Sequence, residues 1–185
     1  MLNVNNLSVV RGGKTLFEEL TFEILPGQIL QVVGENGSGK SSLAQAIAGD
    51  IKPTKGTITR GGKIAYLMQD REINFPLTAR EFIQLGNPQS DISRRADQLN
   101  LRDCLDKKVT QISIGQFQRC EFAQILLYAP DLLILDEPFS AQDKSGIALF
   151  LALLKELKNE RKAILLINHL EIDTQQLVDK TIEIP

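Results

Sequence analysis

Eight consecutive residues, Gly34-Glu35-Asn36-Gly37-Ser38-Gly39-Lys40-Ser41, have the spacing G-x-x-x-x-G-K-[ST]. Glycines so placed let successive backbone N–H groups converge on phosphate oxygens, and the positive end of a following helix adds to the attraction. Gly34, Asn36, Gly37, Ser38 and Gly39 would form the cradle, with Ser42 just inside the helix. Lys40 would reach the β- and γ-phosphates of a nucleoside triphosphate, and the Ser41 hydroxyl would sit on Mg²⁺. The same spacing also suits a plain glycine turn between a strand and a helix.

A triphosphate site needs a carboxylate for the metal shell and a group that orients the attacking water. The run "LLILDEP", Leu132 to Pro138, offers both at the end of an apolar stretch. Asp136 can hold the magnesium shell and Glu137 can polarise the water. His169, the one histidine, follows a second apolar run, Ala163 to Asn168. At the C-terminal edge of a parallel sheet it would be presented to the ligand and sense a γ-phosphate.

These residues need elements to carry them. "QILQVV", Gln28 to Val33, reads as a buried strand feeding the glycine loop. The segment from Lys40 to Ala48 reads as a helix with Leu43, Ala44 and Ile47 on one face, stopped at Gly49. Ahead of them, Leu2–Val4, Leu7–Val10 and the alternating "LTFEIL" at 20–25 predict an antiparallel N-terminal sheet. A more polar middle, from about Arg71 to Thr110, predicts a small helical insert. After it come a helix from Gln116 to Tyr128, a strand at Leu132 to Leu135, a long helix near Lys144 to Asn159, the strand from Ala163 and a short last strand, Thr181 to Ile184. Helices alternating with wholly apolar strands point to an α/β fold with a mainly parallel sheet covered on both faces.

The bulk properties narrow the class. At 185 residues, 43% hydrophobic and 24% charged with a net charge of −2, the chain suits one globular domain and gives no sign of a nucleic-acid track. Cys104 and Cys120 lack a second pair, so neither a disulfide framework nor a zinc site is expected, and a reducing cytoplasm fits. "MLNVNNLSVVRGGK" lacks the pattern of a secretory signal. The apolar run from Ile125 to Leu135, broken by Pro130 and Asp131, falls short of the ~20 residues that span a bilayer. Membrane contact would therefore run through a partner.

With these residues placed, the chain resembles the ATP-binding subunit of ABC transporters over nearly its whole length. Gln69 in "YLMQD" matches the Q-loop, "ISIGQ" at 112–116 the signature, "SAQD" at 140–143 the D-loop and His169 the switch histidine. The resemblance implies a P-loop NTPase core with an N-terminal antiparallel β-subdomain and a helical subdomain at about 71–128, inserted in a single domain spanning 1–185. It implies ATP and Mg²⁺ as ligands and an integral membrane permease subunit as partner, on the cytoplasmic face of the cell membrane. It also implies a second copy of the chain, paired head to tail. Each ATP would lie between the glycine loop of one copy and Ser113, Gly115, Gln116 and Asp143 of the other. Gln69, beside the magnesium, would serve both the metal and the chemistry and relay the motion.

Three residues depart from the family's usual pattern: Ile114 stands where the signature has glycine, Arg11 where an aromatic residue stacks on adenine, and Gln142 where the D-loop commonly has leucine. A guanidinium can still stack on a base by its flat face. "FPLT" at 75–78 looks like the ATPases of zinc and manganese importers, whereas "GGKTLFEELTF" and "ILDEPFSAQD" look like the ATPase of haem export and cytochrome c maturation. Related heads that act on nucleic acid are a further alternative, disfavoured by the lack of a long heptad-bearing arm and of a basic patch. A plain P-loop kinase would leave Ser113–Gln116 without a role.

Overall fold

A two-glycine turn starts the fold. Gly12 and Gly13, with φ of 58° and 77°, join β1 (Leu2–Arg11) to β2 (Lys14–Ile24) with Arg11 opposite Lys14. Positive φ at both central residues gives a turn whose twist matches that of the flanking strands, and glycine adopts it without a Cβ clash. In this computed structural model, which describes residues 1–69, 76–168, 174 and 176–184, β1 also pairs antiparallel with β4 (Lys55–Arg60). The expected N-terminal sheet is thus present with three strands in the order β2-β1-β4. Its two short N-terminal pieces are one strand, broken in register by bulges rather than by a turn.

The second sheet is parallel throughout. Its order is β5-β6-β7-β3-β8, with β3 at Ile29–Val33, β5 at Ile64–Leu67, β6 at Leu132–Asp136, β7 at Ala163–Ile167 and β8 at Lys180–Glu183. The central strands β6 and β7 are buried at every residue, as strands covered on both faces must be. Their side chains divide by alternation. Leu133, Leu135, Ile164 and Leu166 join one core, and Leu132, Ile134, Ala163, Leu165 and Ile167 join the other.

The second of these cores is closed by the antiparallel sheet and α1 (Lys40–Ala48). The first is closed by the helical segment. That segment comprises α2 (Ala79–Gln84), α3 (Ser93–Gln98), two 3₁₀ turns and α4 (Ile114–Leu127), and α5 (Lys144–Asn159) lies beside it. Phe122 of α4 stacks on Phe150 of α5 with ring centres 4.8 Å apart, and Phe139 meets Phe150 edge-on at 6.0 Å. A second tie is polar: Arg94, Arg95 and Gln98 of α3 all donate to Glu156 of α5.

Capping boxes fix the starts of two helices, and one of them begins earlier than the sequence reading places it. Thr78 and Glu81 cap α2 reciprocally, and Ser113 and Gln116 do the same for α4, which therefore starts at Ile114 rather than Gln116. All four parallel strands that carry candidate residues, β3, β5, β6 and β7, end on one edge of the sheet. Ligands of open α/β sheets bind at this edge.

Candidate functional site

The glycine loop leaves β3 at its C-terminal end and runs into α1. At Gly34 a Cβ would strike the carbonyl oxygen of Ile184, just past β8, and lie 2.8 Å from the Ser38 hydroxyl, so the loop packs too closely there for any side chain. Gly39 is the N-terminal cap of α1 with φ of 107°, a left-handed conformation natural to glycine, and no side chain caps the helix. With no acidic residue in its first turn, the N-terminus of α1 remains an electropositive end facing the cleft. Lys40 is buried, and its Nζ donates to the carbonyls of Gly34 (2.8 Å) and Glu35 (2.7 Å), folding the ammonium across the loop.

The acidic pair arrives from β6. Asp136, its last residue, accepts a hydrogen bond from Tyr66 of β5 (3.2 Å) and lies beside Ser41 of α1, while its buried Oδ1 has no hydrogen-bond partner among the described residues. Burial raises its pKa above the ordinary carboxylate value. The Ser41 and Tyr66 hydroxyls oppose that shift, the neighbouring Glu137 adds to it, and Lys40 counters it. Glu137 follows with φ of 53°, a left-handed conformation rare for a residue with a side chain, and is almost wholly buried. Its N–H donates to the carbonyl of Ile167 on β7 (3.0 Å).

These groups meet in one cleft of about 270 Å³, lined by Arg11, Leu16, Asn36, Gly37, Gly39, Lys40, Ser41, Ser42, Gln69 and Glu137. Gln69 reaches it from the end of β5. Arg11 reaches it from the end of β1, with its guanidinium 3.4 Å from the Gln45 Oε1 of α1. Leu16 and Tyr66 were missed by sequence reasoning. Tyr66 carries a usable signal, since it lies three residues before Gln69 on the strand that pairs with β6.

Ser113, Gly115 and Asp143 line a separate groove of about 540 Å³, together with Ile114, Arg119 and Ser140–Gln142. Within one chain the structure does not bring them to the glycine loop. Ser113 and Gln116 are engaged with each other at the start of α4, and Asp143 caps α5 by accepting from the Gly146 N–H (2.7 Å) and the Ser145 hydroxyl (2.8 Å). Those two bonds, the Gly146 one first, hold its carboxyl below the ordinary range. Ile114 is 69% exposed on this groove, so the larger residue projects outward and leaves the turn itself intact. His169 lies outside the described residues; Asn168, just before it, is buried beside β3 and donates its N–H to the Val32 carbonyl (3.4 Å).

Residues 17–140 match the family described as "ABC transporter". The chain is 36% identical over 176 residues to the zinc import ATP-binding protein ZnuC of Roseobacter denitrificans, covering 91% of this chain and 69% of that one. It is 35% identical, again over 176 residues and 91% of its own length, to ZnuC of Rhizobium johnstonii, of which it spans 58%. Among solved structures it is similar to an ATP binding subunit of an ABC transporter, with a TM-score of 0.90 at 24% identity over 100% of this chain and 85% of that one.

Proposed function

This chain belongs to the ABC transporter family as one of its ATP-binding, ATP-hydrolysing proteins, and on that premise we propose that it drives zinc import through a separate membrane permease. The observation that carries the reading is the convergence of Lys40, Ser41, Gln69 and Glu137 on one cleft, with Asp136 beside Ser41 behind it. The loop N–H groups and Lys40 bind the phosphates. Glu137 takes the proton of the attacking water and orients it, and His169 and Gln69 complete the γ-phosphate surroundings.

A magnesium ion fits the donor set. Asp136 offers a buried carboxylate oxygen without a hydrogen-bond partner among the described residues, beside the Ser41 hydroxyl, and Gln69 supplies a further oxygen at the cleft. When bound, the ion neutralises charge developing on the β- and γ-phosphates. ATP is then closed over by a second copy presenting Ser113, Gly115, Gln116 and Asp143, which accounts for their sitting in a groove of their own. Arg11, which lines the cleft, would stack its guanidinium on the base. The helical segment at 71–128 is the subdomain that meets the permease, at the cytoplasmic face of the membrane. Zinc as cargo rests on the names of the relatives and on "FPLT" at 75–78, of which Phe75 lies outside the described residues. Those names favour zinc over the haem-export alternative.

Steady-state ATP hydrolysis by the wild type and Glu137→Gln tests the core of this reading. The variant should lose at least ~100-fold in rate, the typical contribution of a positioned acid–base group, and run as an ATP-dependent dimer in size-exclusion chromatography. Undiminished turnover would overturn the assignment. Co-purification of a permease, with loss of zinc uptake on deletion of this chain, checks the cargo.

A further inference from the structure

Two glutamines connect the groove at the start of α4 to the backbone of Glu137. Gln142 Nε2 donates to the carbonyl of Gly115 (3.1 Å) and to Gln118 Oε1 (2.7 Å), and Gln118 Nε2 donates to the carbonyl of Glu137 (3.3 Å). Gln118 is buried and Gln142 half-buried. The seat of Gln142 is tightly shaped. A Cβ at Gly146 would collide with its Oε1, and a Cβ at Gly115 would come within 2.5 Å of the Ala141 carbonyl, so a glycine on each of two helix starts lets the carboxamide lie between α4 and α5.

The far end of this chain is a strained peptide. A non-glycine residue in the left-handed region persists only where its surroundings over-determine it. Besides Gln118, the Ser140 hydroxyl (3.0 Å) and the Ser140 N–H (3.2 Å) donate to the Glu137 carbonyl, and β7 takes its N–H. The orientation of this peptide sets where the Glu137 carboxylate enters the cleft.

We propose that Gln142 and Gln118 are positioning residues for ATP hydrolysis, holding the Glu137 peptide in register with the turn at Ser113–Gly115. The inference rests on the reading of Glu137 as the water-activating group. It makes the geometry of that group depend on a turn that, in the paired form, touches the other nucleotide. Neither glutamine lines the Lys40 cleft, so the effect belongs to the chemical step rather than to ATP binding.

The test is ATP turnover against ATP concentration for the wild type, Gln142→Leu, Gln118→Leu and the double variant, with Glu137→Gln alongside. Each single variant should lower kcat about tenfold with KM within about twofold. The double variant should be no slower than the slower single, because residues acting as one unit are not additive. A merely structural role would lower the melting temperature, leave kcat in place and give independent effects. Wild-type kcat in Gln142→Leu, or a double variant slower by the product of the two single losses, overturns the proposal. Should Gln118→Leu fail to fold, Gln142→Leu carries the kcat and KM comparison by itself. An inactive Glu137→Gln beside a fully active Gln142→Leu sinks the relay alone, whereas an active Glu137→Gln sinks the reading of the site and the relay with it.

Discussion

Asp136 shows how a functional residue opposes stability. Its folded pKa is raised, with burial the largest cause, so the folded protein holds that proton more tightly than the unfolded chain does. The resulting stability is present below the unfolded carboxylate pKa and is lost as pH rises through the folded value. Above that folded value the nucleotide-free protein carries the cost of a buried charge. Asp136→Asn keeps an acceptor for Tyr66 and Ser41 while removing that charge. Thermal melts at pH 7 without nucleotide should show the variant more stable, by ~2–4 °C for each kcal/mol gained in a domain of this size. The gain should shrink as pH falls toward ~3.9, while hydrolysis is lost at every pH. At this scale the sequence was informative about residue types: Lys40, Ser41, Asp136 and Glu137 could be placed from spacing because each closes or follows a predicted strand. The Gln118 and Gln142 bonds could not, since they join residues 24 apart whose meeting depends on how α4 packs on α5.

Helix starts give a second kind of test, because α2 and α4 use the same capping device for different ends. Thr78 and Ser113 each accept from the third helical N–H while the residue at that position, Glu81 or Gln116, returns a bond. Replacing such a cap by alanine costs roughly 1 kcal/mol. Thr78→Ala should therefore lower the urea midpoint and leave ATP turnover per folded molecule unchanged. Ser113→Ala should lower both, since that hydroxyl also belongs to the surface offered to the partner's nucleotide. Equal activity in the two variants would remove Ser113 from the site. Ser-x-x-Gln and Thr-x-x-Glu were legible as capping boxes, and reading them would have moved the predicted start of α4 from Gln116 to its observed place. β4 and β5 were harder. β4 is exposed along most of its length and shows no apolar alternation, and β5 has only four residues, too few for a period to emerge.

For the molecule as a whole, Phe150 holds the helical segment to the rest of the fold. It is fully buried, stacked on Phe122 and touched edge-on by Phe139. Phe150→Ala should cost about 3–5 kcal/mol, read as a shift of the urea midpoint with little change in slope if unfolding stays two-state. The ion pairs from Arg94 and Arg95 to Glu156 span the same junction. Arg94 is mostly exposed, so 0.5 M salt should cost far less than the loss of that one ring. The parallel sheet and its two covers were legible because β6 and β7 are apolar at nearly every position. The order of the strands was not, because β3 pairs with β7 and β8, strands some 135 and 150 positions further along the chain. That topology has a consequence for synthesis. The glycine loop is made long before either neighbour of the strand that holds it, and Gly34 packs against the carbonyl of Ile184. On the ribosome the loop stays unformed, with both edges of β3 unpaired, until β7 and β8 have been made. Nucleotide capture therefore waits for β7 and β8, and a product stalled before them exposes an apolar strand instead.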